Sequence, residues 1–320
     1  MLGFIANRVI RSIIVLFLIS VVTFTFMQLT PGGPFSADAG GRPRPPEVQR
    51  ALEAQYGLDR PPVEQYLTYM RKLLFEFDFG PSTRQIDFTV NELMFGVNFA
   101  EDPFHAPVLV SAQVGLYSFL LAVIFGIPLG VISALYRNRW ADHIAMLFTT
   151  LGISIPNFVL GLMLILTFSL WLQWLPVFGW GKSWKQAVMP VITLGTGGMA
   201  ILARLTRASV LEVLGHDYIR TARAKGLKER FVLTYHALPN SLIPVVTVLG
   251  PMLAAWLTGT FFVELVFAIP GIGKFFITAV TNRDYSLIMA TIMLYSMVLV
   301  TANLVVDIVY SFLDPRIRYS

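Results

Sequence analysis

Charged residues are distributed unevenly along this chain, and the long uncharged segments between them are the feature that most limits how it folds. These segments are residues 12–29, 106–136, 144–181, 186–203, 237–263 and 285–306. The shortest have 18 residues, which corresponds to about 27 Å of helix and nearly spans the roughly 30 Å hydrocarbon core of a bilayer. Charged residues make up 13% of the sequence, against about 25% in a soluble domain. The sequence therefore predicts an all-α, polytopic membrane protein.

Two of these segments decide how many spans there are. The first is uncharged over 18 residues, longer than the roughly 7–15 residues of a signal-peptide core, so we predict that it is retained as a span. Segment 144–181 has room for two short spans, but its end carries tryptophans typical of a membrane interface, namely Trp171, Trp174 and Trp180. We therefore predict one span there and six transmembrane helices in all. Ile155-Pro156 is predicted to kink the third span without breaking it.

Basic residues predict the orientation of the chain. If the N-terminus lies in the cytoplasm, 13 Lys and Arg residues fall on the inside and, apart from the long loop 30–105, only 4 fall on the outside. Such an excess marks the cytoplasmic face, so we predict a multi-pass protein of the cytoplasmic (inner) membrane with both termini in the cytoplasm. The net charge of +5 then reflects topology and does not indicate nucleic-acid binding. The predicted parts are an N-terminus with the first span (1–29), an extracytoplasmic loop (30–105), and a core of five spans (106–320) that includes a cytoplasmic loop (204–236).

The extracytoplasmic loop contains two predicted amphipathic helices, each preceded by a Pro-Pro pair that favours helix initiation. The first covers residues 47–56 and the second begins at residue 62. Helical spacing predicts their apolar faces, which are Val48, Ala51, Leu52 and Tyr56 in the first helix and Val63, Tyr66, Leu67, Met70 and Leu74 in the second. We expect this loop to cap the outer rim of the protein, and the alternative is a surface for an external partner.

The cytoplasmic loop 204–236 contains a short helix followed by a glycine. Asp217 is predicted to cap a helix over residues 218–225, and Gly226 to end it in the left-handed conformation that glycine favours. Leu238-Pro239 then re-enters the membrane rigidly. A partner that grips such a helix could move the attached spans. A basic loop that only contacts anionic membrane lipid is the alternative, but it would need no glycine at this position.

The spacing in this loop resembles the E-A-A-x3-G-x9-I-x-L-P motif of ABC importer membrane subunits. The positions that match are Ala222, Gly226, Leu238 and Pro239. The positions that depart from it are Arg220, Thr221 and His236, which stand for the glutamate, the first alanine and the isoleucine. Residues 218–227 are similar to the variant carried by peptide-importer permeases.

Further stretches of the chain are similar to the same permeases, and together they extend the resemblance over nearly all of its length. They are residues 31–35, 78–82, 263–267, 270–273, 283–285 and 314–319. The resemblance is greatest to the B-type permease subunit of oligopeptide importers.

This resemblance implies a type I ABC importer permease fold and a division of labour. Two homologous permease subunits form the pathway, two ATP-binding cassette ATPase subunits lie beneath it, and an extracytoplasmic binding protein delivers oligopeptides or dipeptides. The helix before Gly226 is expected to dock on an ATPase, with a coupling surface of Arg220, Thr221, Ala222, Ala224, Gly226 and Leu227. The chain is then expected to be no enzyme and to hold no cofactor. In agreement, Gly181-Lys182-Ser183 lacks the upstream glycine of a phosphate-binding loop, since Pro176 stands there.

Glu264 lies at the predicted outer end of the fifth span, where an acidic residue is costly and often functional. Its role stays open between lining an outer gate or pathway and capping the turn at 270–273. The alternative function for the chain is an ion-coupled secondary transporter without ATPase partners, which usually shows deeper ionisable groups or paired broken helices. A membrane scaffold is a further alternative. Neither needs the helix before Gly226, so the sequence favours the permease.

Overall fold

The structure is a computed structural model that describes residues 2–30, 32–36, 44–85, 87–97 and 101–313. Pro31 and the stretch 314–319 lie outside the described residues. The helices are α1 (Leu2–Leu29), α2 (Pro46–Gln55), α3 (Pro62–Glu76), α4 (Val90–Phe95), α5 (Pro107–Leu135), α6 (Trp140–Ser154), α7 (Asn157–Leu164), α8 (Lys185–Leu214), α9 (Asp217–Ala224), α10 (Glu229–Phe231), α11 (Leu238–Ser241), α12 (Ile243–Leu257), α13 (Phe261–Val266), α14 (Gly273–Thr281) and α15 (Tyr285–Leu313). Wider, π-helical turns extend α7 over Ile165–Trp171 and join α10 to α11 over Val232–Ala237. The predicted all-α class is confirmed.

Four of the described helices are long and apolar enough to cross a bilayer. They are Ala6–Leu29 within α1, Pro107–Leu135, Lys185–Leu214 and Tyr285–Val306 within α15. Two bent helix pairs are also long and apolar enough when the two helices of each pair are taken together, namely Trp140–Ser154 with Asn157–Trp171, and Glu229–Ser241 with Ile243–Leu257. The predicted six spans are obtained when each bent pair is counted as one span.

The third span is bent far more sharply than the sequence predicts. Its two helices, Trp140–Ser154 and Asn157–Trp171, meet at 104°. Ile155 and Pro156 between them have ψ angles of 120° and 138°, because proline removes an amide donor and keeps the preceding residue out of the helical region. Pro128, by contrast, lies inside the continuous helix α5. The kink predicted at Ile155-Pro156 is therefore a break between two helices.

The tryptophans that follow the third span do not form a single interfacial belt. Trp171 and Trp174 are exposed, as the prediction requires. Trp180 is buried, and its indole Nε1 donates a hydrogen bond of 3.0 Å to Oε1 of Gln113 on α5. The prediction is wrong for Trp180, because the chain turns back onto α5 before it enters α8.

The centre of the fold is the contact between α5 and α8, where small residues let two helix backbones approach. A Cβ atom on Gly126 would lie 2.7 Å from the carbonyl oxygen of Met199, and one on Gly130 would collide with the carbonyl oxygen of Ala203. Close packing of this kind drives helix association in a membrane, since lipid tails are as apolar as the side chains. Helices α6, α7 and α12 pack around the pair. The loop that follows α8 is thus attached to a tightly packed helix of the core.

The outer loop packs on α1, α14 and α15. The hydroxyl groups of Ser20 on α1 and Tyr66 on α3 lie 2.7 Å apart. Leu73 of α3 is buried in one cluster with Phe275 of α14 and Leu287 of α15. The described residues of the loop thus pack on three helices of the chain, and its role as a cap or as a surface for an external partner stays a prediction.

The two predicted helices of this loop are present as α2 and α3, but their predicted apolar faces are partly wrong. Five residues predicted to face inward are exposed, namely Val48, Ala51, Val63, Leu67 and Leu74. Tyr69 and Leu73 pack inward instead. The buried side of α3 is set by the aromatic and aliphatic side chains that reach α1 and α15, and spacing alone could not identify it.

A buried carboxylate joins the outer loop to the start of α15. Asp284 is 2% exposed and accepts a short hydrogen bond from the Ser82 hydroxyl. It also accepts hydrogen bonds of 3.2 Å from the backbone nitrogen and the hydroxyl of Thr83. Stretches 78–82 and 283–285, which both resemble the peptide-importer permeases, are therefore in contact, although about 200 residues separate them.

Candidate functional site

The loop after α8 forms one short, exposed helix, α9. Helix α8 ends at Leu214, and His216 in extended backbone precedes α9, which begins at Asp217. Asp217 is therefore the first helical residue and not the N-cap that the sequence predicts. The N-cap residue, His216, makes no side-chain cap hydrogen bond, and the Asp217 carboxylate lies 3.3 Å from Nη1 of Arg220. A negative charge in the first turn still favours the helix through its dipole.

Helix α9 ends in a Schellman motif at Gly226. The amide of Gly226 donates to the carbonyl of Arg223 at 2.9 Å, and the amide of Leu227 donates to that of Ala222 at 3.4 Å. This arrangement needs a left-handed residue, and Gly226 has φ of +77°. A Cβ atom on Gly226 would meet no atom within 4 Å. The tip of the loop is thus open, and no described residue restricts the size of a side chain there.

One face of α9 packs against the core, and the residues of the other face are exposed. Ile219 and Ala222, three residues apart on the helix, are 0% and 6% exposed and pack with Val213 of α8 and with Val232 and Ala237. The predicted coupling residues that are exposed are Arg220, Thr221, Ala224, Gly226 and Leu227. Ala222 shares the buried face with Ile219, and the coupling role of all six residues stays a prediction.

Polar contacts attach α9 to the helices that follow it. Arg223 and Glu229 form a two-point ion pair with distances of 2.6 and 3.1 Å across the Gly226 turn. Nδ2 of Asn240 in α11 donates a hydrogen bond of 3.0 Å to the Tyr218 hydroxyl. Since Glu229 and Asn240 belong to the bent pair of the fifth span, α9 is connected both to α8 and to the fifth span.

The exposed face of this loop is cationic. After the end of α8, residues 215–236 contain two acidic residues, Asp217 and Glu229, and each pairs with an arginine. Three further basic residues form no ion pair with a described residue, namely Lys225, Lys228 and Arg230. A partner that approaches this face would be favoured if it carried carboxylates.

A buried ion pair ties α8 to the helices beside it. Arg207 of α8 contacts both carboxylate oxygens of Asp142 in α6, at 2.7 and 2.8 Å. The carboxylate also accepts hydrogen bonds from the Ser133 hydroxyl at 2.5 Å and from the Asn138 amide at 2.9 Å. Asp142 is 2% exposed. The end of α5 and the start of α6 are therefore joined to α8 about two turns, or roughly 10 Å of helix, before α8 ends.

Glu264 lies in α13, in the hairpin between α12 and α14, and is 4% exposed. Its carboxylate accepts hydrogen bonds of 2.8 Å from the Gly273 amide, 3.1 Å from the Thr260 amide and 2.7 Å from the Ser111 hydroxyl of α5. Burial raises the pKa of this carboxyl above its ordinary value, and the hydrogen bonds act in the opposite direction. These contacts cap the start of α14 and hold the hairpin on α5. A role at an outer gate stays a prediction.

The fold and the site together define a polytopic helical membrane protein in which one exposed helix is connected to two spans. Residues 126–319 match the family model described as "Binding-protein-dependent transport system inner membrane component". Residues 1–106 match the corresponding N-terminal model. The chain belongs to this family of inner-membrane transport components.

Curated relatives align over almost the whole chain. The dipeptide transport system permease DppB of Bacillus subtilis is 44% identical over 300 residues, which are 94% of this chain and 92% of the relative. The oligopeptide permease OppB of Salmonella typhimurium is 41% identical over 320 residues and all of both chains. The glutathione permease GsiC of Escherichia coli is 39% identical over 319 residues and all of both chains.

A solved structure shares the fold. It is an inward-facing methionine ABC transporter, MetNI, with a TM-score of 0.53 at 17% identity, and the match covers 65% of this chain and 94% of that chain. The predicted ABC importer permease fold is confirmed.

Three residues that hold the site together were not identified from the sequence. In the sequence, Asp142 and Arg207 contribute only to the charge count that predicts orientation, and no motif marks Ser111 as a partner of Glu264. The one available hint for Arg207 was its position on a helix that continues from the uncharged segment 186–203. Pairing with Asp142 depends on how α6 and α8 pack, which no spacing encodes.

Proposed function

We propose that this chain is the transmembrane permease subunit of an ATP-driven ABC importer for oligopeptides or dipeptides. The permeases DppB and OppB support this substrate class, since they align at 44% and 41% identity over nearly their full lengths. In this proposal the chain forms half of the translocation pathway and a second homologous permease forms the other half. An extracytoplasmic peptide-binding protein delivers the substrate.

The observation that carries the proposal is the geometry of α9. Its exposed residues face away from the chain, while Ile219 and Ala222 seat it on the core and the Arg223–Glu229 pair links it to the fifth span. One of the two partner ATPases would grip this helix, and a shift of α9 on ATP binding would move α8 and the fifth span together. The chain itself then hydrolyses no ATP and serves as the conformational element.

In this proposal the chain crosses the inner membrane, and both termini and α9 lie on its cytoplasmic side. The excess of basic residues on that side supports it. The chain has no cysteine, so single cysteines at Arg220 and Leu67 can be labelled with a membrane-impermeant maleimide in cells that lack the partner ATPases. We expect labelling at residue 67 in intact spheroplasts and at residue 220 only in inverted vesicles. The reverse result would contradict the orientation.

Uptake by reconstituted vesicles tests the function. The chain is expressed with its genomic neighbours, purified in mild detergent and placed in liposomes. We expect co-purification of a second permease and of ATPase subunits, and peptide uptake that requires ATP together with the binding protein. Ionophores that abolish proton and sodium gradients should leave this uptake unchanged. Uptake by the chain alone that follows an ion gradient would refute the proposal.

A further inference from the structure

A narrow groove of about 230 Å³ runs between α1 and α15, at the end of the molecule where α1 begins. Its walls include Arg8, Arg11, Val15 and Ile19 on α1, and Leu299 and Val300 on α15. The two arginines lie at one end of the groove and the aliphatic residues continue from them along the helix axis. The groove thus has two arginines at its mouth and a mainly aliphatic floor, to which Ser12, Ser296 and Asn303 also contribute.

The length of this groove matches one leaflet of a bilayer. From Arg8 to Ile19 the helix rises by about 16 Å at roughly 1.5 Å per residue, and half of a roughly 30 Å hydrocarbon core is about 15 Å. The mouth therefore lies at the headgroup level when α1 spans the membrane. Arg11 is exposed there, and its side chain makes no hydrogen bond or ion pair with a described residue.

We propose that this groove binds one anionic phospholipid of the cytoplasmic leaflet. Its phosphate and headgroup charge lie against Arg11, and one acyl chain extends along Val15, Ile19 and Leu299. A basic recess between spans on this side of a membrane is the kind of site that selects acidic headgroups. The proposal rests on the proposed orientation and not on the peptide substrate.

The chemistry of the groove indicates where selectivity arises. An acyl chain is surrounded by equally apolar groups in the bilayer and in the groove, so its transfer into the groove gains little hydrophobic free energy. Selection must then come from the headgroup, where a single basic residue near the surface contributes about 1 kcal/mol, or roughly a fivefold preference. Because this attraction is electrostatic, it weakens as salt is raised.

The test compares lipid retention by the purified complex and by two charge variants. The complex is exchanged into nanodiscs with equal parts of phosphatidylglycerol and phosphatidylcholine, and the lipid that stays bound after release is counted by native mass spectrometry. Arg11→Gln should lower the retained ratio of phosphatidylglycerol to phosphatidylcholine about fivefold. Arg137→Gln removes the same charge from an exposed position outside the groove and should leave the ratio unchanged.

A second pair of variants tests the groove itself. Val300→Trp fills it and should abolish retention of either lipid, whereas Val22→Trp, on an exposed part of α1 outside the groove, should not. An unchanged ratio in Arg11→Gln, or an equal loss in Arg137→Gln, would overturn the proposal, and so would a cross-link from a cysteine at Val15 to the second permease. ATP-driven peptide uptake is measured on the same samples. Loss of lipid retention with normal uptake would support the transport function independently of the lipid site. Loss of uptake with normal lipid retention would support the lipid site independently of the transport function.

Discussion

Arg207→Gln should destabilise the protein more than Asp142→Asn, although the two substitutions break the same ion pair. The Asp142 side chain is 3% exposed, whereas that of Arg207 is 24% exposed. Removal of the arginine leaves a carboxylate enclosed with only the Ser133 and Asn138 donors. Removal of the carboxylate leaves a guanidinium that reaches water.

The expected magnitudes follow from this difference in burial. A buried charge that loses its partner costs about 3–5 kcal/mol, which is the range for Arg207→Gln. In Asp142→Asn the amide keeps the shape and can still bond Ser133, so the loss is that of charge-assisted hydrogen bonds, about 1.5–3 kcal/mol. The double variant Asp142→Asn/Arg207→Gln should be more stable than Arg207→Gln alone, because the stranded carboxylate is gone.

Apparent melting temperatures of the purified variants, taken at one scan rate in one detergent, give the order. Arg204→Gln is the matched control, since Arg204 lies one turn earlier on α8 and makes only an exposed contact of 3.2 Å to Thr150, and it should shift stability by less than about 0.5 kcal/mol. If Asp142→Asn is the less stable variant, or if the double variant is the least stable of all, the reasoning from burial is wrong.

Three further variants probe other contacts. Glu264→Gln places an amide donor against the groups that now donate to the carboxylate, so the protein should lose about 1–3 kcal/mol of stability. Hydrogen exchange in α14 should become faster, and unchanged exchange would contradict the role of Glu264 as a cap of α14. Ile219→Ala removes the main anchor of α9 and should cost about 2–5 kcal/mol locally, seen as faster proteolysis after Arg220, and unchanged cleavage rates would count against the packing. Gly126→Leu forces α5 from the Met199 carbonyl and should abolish recovery of folded monodisperse protein, which normal gel-filtration behaviour would refute.

Part of the fold could be predicted because segments that cross the hydrocarbon core of a membrane must be nearly free of charged residues. An uncharged segment of 18 or more residues indicates a span directly, and each predicted span overlaps one long helix or one bent pair. The proline pairs and Gly226 act within a few residues, so α2, α3 and the end of α9 could also be predicted closely.

What could not be predicted depends on contacts between distant segments. The 104° turn at Ile155-Pro156 follows from local chemistry, but its size is set by where α7 packs. The buried side of α3 and the burial of Ala222 depend on which face meets the core. The Asp142–Arg207 pair and the Ser111–Glu264 contact join residues 65 and 153 positions apart, and no pattern in the chain brings them together.

The most direct test of the coupling role is Gly226→Asp, compared with Gly57→Asp. Both glycines have positive φ, +77° and +68°, so each substitution carries the same backbone cost of about 1–2 kcal/mol, but Gly57 belongs to the outer loop. ATP-driven peptide uptake and co-purification of the ATPases are measured in proteoliposomes and detergent. We predict that Gly226→Asp loses both while the chain still inserts and folds, and that Gly57→Asp keeps both. Normal uptake with Gly226→Asp would contradict the coupling role of α9.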